Sequence, residues 1–183
     1  MEHKFIEFLM LFITDVLLGY VPQAAGCATC LFTLTNQKLF TKQYWGTTGL
    51  FSAVAIIIRT AFNIGLIDFG FHTVVIWSIF ILIAIFHNKF SATQSILSIL
   101  ISGILIAFTE IITAVVMIII YGNDKFNAMM NNTQTIDGKI MKAASGIPAN
   151  LLFLLVVLVI YMIASTIRKR KNKAEPAKNP ANP

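Results

Sequence analysis

Residues 92–121 read ATQSILSILISGILIAFTEIITAVVMIIIY, a run whose one formally charged side chain is Glu110. A helix crosses the hydrocarbon core of a bilayer with about 20 mainly apolar residues, and this run exceeds that length. Lipid offers no water to an exposed backbone, so a spanning segment must satisfy its own N–H and C=O groups by coiling into a helix. The stretch therefore reads as a transmembrane helix. Four more apolar runs, at residues 5–34, 46–64, 72–86 and 147–167, repeat the pattern. The fold class expected is all-α: a polytopic membrane protein built as a bundle of five transmembrane helices. In the first run Gly19, Pro22 and Gly26 fall close together, and a proline inside a helix removes a hydrogen bond and clashes with the preceding turn. A kink is expected there, or a full break that makes six segments. The third run is short for a span and should borrow a turn from its flanks; the first and fourth are long enough to tilt.

Composition points the same way. Hydrophobic residues make up 57% of the 183-residue chain and charged residues 12%, with a mean hydropathy of +0.78, whereas soluble domains carry about 25% charged residues. Such spans leave no room for a soluble catalytic domain. The net charge of +6 does not signal nucleic acid, because Arg168, Lys169, Arg170, Lys171 and Lys173 follow the last apolar run directly. A basic flank of that kind marks the cytoplasmic side of a membrane. Residues 1–167 are thus expected to form the bundle and residues 168–183, rich in Pro and polar groups, a disordered basic cytoplasmic tail. Alternation from this anchor places Lys38, Lys42 and Lys89 in the cytoplasm, with the N-terminus and the 63–71 and 122–146 connections outside. The expected location is the cell membrane, crossed several times. Glu7 and Asp15 interrupt the first run and no small-residue cleavage site follows it, so residue 5 onward reads as mature structure rather than a signal peptide. No internal repeat of the transporter kind is visible.

An ionisable side chain inside hydrocarbon costs at least about 2.5–3.5 kcal/mol on insertion scales, so it faces other helices and finds a partner. Asp15, Arg59 and Glu110 are such residues. At about 1.5 Å per residue from the cytoplasmic helix ends, Arg59 lies roughly 20 Å along and Asp15 and Glu110 roughly 28–30 Å, all in the outer half. A guanidinium suits carboxylates bidentately, and Arg59 with Glu110 is the expected pair, either as part of a ligand pocket or as an ion pair that fixes helix register. Asp15 also fits a position in water at the outer interface. Thr48, Ser52, Ala55 and Arg59 recur at helical spacing, as do Ser95, Ser98, Ser102, Thr109 and Thr113, with Glu110 at the edge of the second stripe. Small and hydroxyl-bearing residues let membrane helices approach closely and bond across their interface. His72, at the outer start of the third helix, is a candidate sensor of external pH or ligand, or a hydrogen-bonded helix-end histidine.

Cys27-Ala28-Thr29-Cys30 has the spacing of thiol–disulfide enzymes. It lies toward the cytoplasmic half, where thiols stay reduced, and two thiolates alone do not complete a metal site. Asn131-Asn132-Thr133 matches a glycosylation sequon weakly. No nucleotide loop, zinc-protease helix or nucleophile elbow is present, so neither catalytic residues nor a cofactor or metal is expected, and the chain does not read as an enzyme.

The Arg59 helix, the Phe69-Gly70-Phe71-His72-Thr73 entry to the next helix and the long helix bearing Glu110 together resemble the membrane-sensor region of the Agr-type, GHKL-class histidine kinases of Gram-positive bacteria. The resemblance covers residues 56–121. It implies a sensor-like module, but the chain has no phospho-accepting histidine helix or ATP-binding domain after residue 167, so kinase activity does not carry over. The expected function is a bacterial membrane sensor or regulatory module in contact with the lipid bilayer. It would bind an extracellular peptide or small ligand, or a membrane or cytoplasmic signalling partner, through Arg59, Glu110, Asp15 and His72. The alternatives are a substrate-binding transport subunit working with an energising partner, and a thiol oxidoreductase using Cys27 and Cys30.

Overall fold

The computed structural model describes residues 6, 9, 10, 12–63, 71–131 and 135–174. Glu7, Asp68, Phe69, Gly70, the Asn132 and Thr133 positions of the sequon, and residues 175–183 lie outside the described residues. Among the described residues every element is helical. The five apolar runs each form a helix: α1 (Ile13–Leu34), α2 (Lys42–Asn63), α3 (Phe71–Leu82, continued by a wider turn over Ile83–His87), α4 (Ala92–Tyr121) and α6 (Ile136–Ala174). A short helix, α5 (Asn123–Asn131), lies in the connection before α6, where the sequence reading has only a loop.

Pro22 neither breaks α1 nor makes two segments of it. The chain accommodates the proline by running as a π-helix over Ile13–Tyr20, which ends with the Val21 N–H bonded to the Val16 carbonyl five residues back. The wider turn makes room where the pyrrolidine ring would otherwise meet the carbonyl of the residue four before it. Beyond the proline, α1 is an ordinary α-helix over Val21–Leu34. Its residues Ala24, Gly26, Cys27, Ala28, Thr29, Cys30, Leu31, Phe32 and Thr33 are buried. A helix buried on consecutive positions is covered on every side, and α1 packs against α2, α4 and α6. The run of small side chains is what lets three helices approach it at once. A Cβ on Gly26 would fall within the Phe153 ring of α6, itself fully buried.

The helix ends are written in local chemistry. At the end of α1 the Asn36 N–H donates to the Thr33 carbonyl and Gln37 to Phe32, while Asn36 takes φ 59°. This is a Schellman stop with asparagine where glycine is usual. At the end of α3 the same device is one residue wider: Lys89 takes φ 59° and the Phe90 N–H reaches back to the Ala84 carbonyl. Ser91 opens α4 as its N-cap, its hydroxyl accepting from the Gln94 N–H at 3.3 Å and donating to Gln94 Oε1 at 3.0 Å. Helix α6 runs through Pro148 and continues to Ala174. The segment from Arg168 to Ala174, expected as the start of a disordered tail, is helical, because Lys and Arg are good helix formers and nothing in RKRKNKA interrupts the ladder.

Three helices, α1, α4 and the Asp137–Lys171 part of α6, are long and apolar enough to cross a membrane. The apolar run of α3, over His72–His87, is shorter, and α2 is diluted by Gly46, Thr47, Thr48, Gly49, Ser52 and Arg59. Ile104, Phe108, Ile111, Ile119, Leu155 and Ile163 stand exposed along α4 and α6, an arrangement suited to lipid rather than water.

Candidate functional site

The bundle differs at its two ends. The end where α1 and α3 finish and α2 and α4 begin carries Lys38, Lys42, Lys89 and the Arg168–Lys171 cluster, and its interior is filled. Phe32 packs edge-on against Tyr44 and Phe90, with ring centroids 5.5 and 5.6 Å apart. Tyr44 and Thr29 share a hydrogen bond at 3.0 Å, and Thr47 donates to Asn88 Oδ1 at 2.9 Å. Arg168 Nη2 donates to the Thr33 carbonyl at 3.2 Å, covering the open end of α1. One layer further in, Phe51 and Phe80 lie flat on each other, centroids 4.0 Å apart and planes 4° from parallel.

Past that aromatic pair the helices part, leaving a cavity of about 1100 Å³. Its deep wall is apolar, with Phe80, Trp77, Ile76, Ala55 and Ile106. Gly103 of α4 makes room for the Trp77 ring, which a Cβ there would meet. Toward the far end the lining turns polar and charged. Asp15, Tyr20 and Gln23 come from α1, Arg59 from α2, His72 from α3, Glu110 from α4, and Lys139, Lys142 and Asn150 from α6. Glu110, Lys139 and Lys142 are exposed, so the cavity meets the surface at this rim. Phe126 and Met130 of α5 lie over part of it.

Arg59 is the hub of the rim. Its Nη1 donates to His72 Nε2 at 2.7 Å. A guanidinium has only donors, so Nε2 must accept and the ring proton sits on Nδ1 in this arrangement. Thr73 Oγ1 lies 3.3 Å from the same nitrogen. The guanidinium carbon stands 5.8 Å from the centre of the Tyr20 ring, a cation–π distance. Asp15 lines the same part of the cavity as Tyr20 and Arg59 and lies close enough to both to interact electrostatically. The π-helical turn brings this about: positions five apart stack on one face when the turn widens, and Asp15 and Tyr20 are five apart.

The structure thus brings Asp15, Arg59, His72 and Glu110, the four residues singled out from the sequence, onto one cavity. It does not make the expected pair of Arg59 with Glu110. Helix α2 packs against α1 and α3 but is not a packed neighbour of α4, so the cavity lies between the two side chains and Arg59 turns to His72, Tyr20 and Asp15 instead. The small-residue stripes do face inward: Thr48, Ser52, Ala55, Ser95, Ser98, Ser102 and Thr109 are buried. Their hydroxyls mostly bond back within their own helix rather than across to a neighbour, as when Ser98 donates to Ser95, Ser102 to Ser98 and Thr109 to Ile106. Cys27 and Cys30 are free thiols, both buried; Cys27 lies on the cavity wall and Cys30 donates to the Ser98 carbonyl at 3.5 Å. Among the described residues no group of three His, Cys, Asp or Glu side chains is placed to hold a metal ion.

Sequence reading misses Tyr20, Gln23, Trp77, Asn150, Lys139 and Lys142 as cavity residues. For α6 the signal is present, since Lys139, Lys142, Gly146, Ala149 and Asn150 keep helical spacing, but the part before residue 147 lies in a segment polar enough to read as a loop. Protein-family models, curated proteins and solved structures, compared with this chain, give no match.

Proposed function

We propose that the chain is a multi-pass cell-membrane protein, a five-span bundle with its basic end in the cytoplasm and the charged cavity rim outside. In it, the cavity serves as the binding site of a non-enzymatic, sensor-like or regulatory module. The observation that carries this reading is the bipartite cavity itself: charged groups gathered at one rim, apolar rings at depth, and an aromatic floor beneath. Small-molecule sites have this makeup, mostly apolar walls with a few convergent polar groups that fix orientation. Ionisable side chains within membrane-spanning helices also cost free energy to place there, which makes them functional-site candidates by default. The ligand class that fits is an extracellular peptide or small molecule with a polar or anionic group. The resemblance to the sensor region of the Agr-type kinases accords with this role and adds no catalytic activity. The open rim favours a receptor over the enclosed pocket of a transport subunit.

The chain has two tryptophans, Trp77 on the cavity wall and Trp45 exposed at the opposite end. In a W45F background Trp77 is the sole fluorescent reporter of the cavity. Titrating short apolar peptides and small organic anions onto this variant in lipid nanodiscs should give a saturable change in emission, and Arg59→Leu should abolish it while the protein remains inserted. An unchanged response in Arg59→Leu rejects the site assignment.

A further inference from the structure

The charge and shape of the cavity narrow the ligand further, on the footing that the cavity is the binding site proposed above. Among the described residues, the rim carries three basic side chains, Arg59, Lys139 and Lys142, and two acidic ones, Asp15 and Glu110. Among these described residues that line it, the basic side chains outnumber the acidic ones by one. The rim therefore attracts a negative head group. Arg59 is already oriented by His72 and by the Tyr20 ring, so little side-chain freedom is left to lose when a ligand arrives. Its planar fork matches the oxygens of a carboxylate or phosphate.

Below the rim the wall is hydrocarbon. Along α3 the lining passes from His72 through Ile76 and Trp77 to Phe80, a depth of roughly 12 Å at 1.5 Å per residue. That depth takes an alkyl chain of medium length, and it stops at the Phe80 ring, which lies on Phe51. The volume of about 1100 Å³ is too large for a lone inorganic ion and exceeds the ~300–1,000 Å³ typical of small-molecule sites.

We infer that the cavity binds a single-tailed amphiphile with an anionic head, carboxylate or phosphate, the head at Arg59 and the tail running past Trp77 to Phe80. The test uses tails that end in bromine, which quenches tryptophan on contact. Undecanoate, undecyl phosphate, undecanol and undecylamine, each bromine-terminated, are titrated onto the W45F protein in nanodiscs. A W77F protein, in which only Trp45 remains, measures quenching from partition into the lipid.

The two anions should quench Trp77 saturably at concentrations at least tenfold lower than the alcohol or the amine. Arg59→Gln should erase that preference, and so should the paired exposed substitutions Lys139→Gln and Lys142→Gln, at least in part, should Arg59→Gln fail to fold. The better of the two anions identifies the head group. Equal quenching by the alcohol, or stronger quenching by the amine, overturns the anionic assignment. Trp77 quenching no greater than that of Trp45, in a protein whose Trp77 still responds to peptides or other anions, overturns the amphiphile but leaves the binding role intact. Trp77 silence toward every compound rejects the binding role as well.

Discussion

Gly26 and Gly49 occupy opposite environments, although each is a glycine in a helix. A Cβ on Gly26 would enter the Phe153 ring, whereas one on Gly49 would meet nothing within 4 Å. Forcing a methyl group into a packed interior costs about 1–3 kcal/mol, and replacing glycine by alanine at an unobstructed helix position gains up to about 1 kcal/mol. Gly26→Ala should therefore lower the thermal midpoint of the detergent-solubilised protein, and Gly49→Ala should leave it unchanged or raise it. Opposite shifts in a fluorescence melt check both at once. At this scale the sequence is informative about which residues matter and silent about whom they meet. Asp15, Arg59, Glu110 and His72 are conspicuous because charge in an apolar run is expensive. That Arg59 bonds to His72 rather than Glu110 depends on which helices are neighbours, and residue type carries no record of that. Tyr20 and Trp77 escaped notice because an aromatic side chain in an apolar run is ordinary.

The element whose local geometry does most for the site is α1. Its widened turn over Ile13–Tyr20 ends at the Pro22 step and puts Asp15 and Tyr20 together beside Arg59. Replacing Pro22 with alanine restores the missing N–H and removes the clash, so the turn is expected to tighten to α-helical pitch. Dropping one residue from the turn rotates everything before it by about 100°, which carries Asp15 off the Arg59 cluster. Pro22→Ala should leave the melting temperature unchanged or higher, yet weaken the Trp77 response to bound ligand at least tenfold. A retained response would show that the π-helical turn does not position the rim. Sequence signals the disturbance at Pro22 but not its form, since a kink, a break and a widened turn are alternative answers to the same lost hydrogen bond. For α3 and α4, and for the C-terminal end of α1, the apolar runs give helix limits within a few residues because local stop and start signals stand there: Ser91 with Gln94, and Lys89 and Asn36 in left-handed turns. For α6 the limits are missed at both ends. Its 39 residues extend roughly 58 Å, far beyond the apolar portion that hydropathy detects.

For the molecule as a whole, the central place of α1 is legible only in retrospect. Its small residues, read one by one, suggest a redox pair or a kink; read together they suit a helix that three others must touch. The threading of the chain is a separate matter, and it has a direct check. With Cys27 and Cys30 replaced by serine, single cysteines at Asn131 and Lys171 should react with an impermeant maleimide from opposite sides of sealed vesicles. Labelling from the same side rejects the proposed topology, and with it the exterior position of the rim. The stacked rings of Phe51 and Phe80, with Tyr44, Phe32 and Phe90 behind them, make the molecule a cup rather than a conduit. Under the proposed binding role and threading, whatever settles in it would depart by the mouth through which it came. Its residence time would then be governed by one aqueous compartment alone, and a competitor supplied to the opposite compartment, however concentrated, would leave the occupant in place.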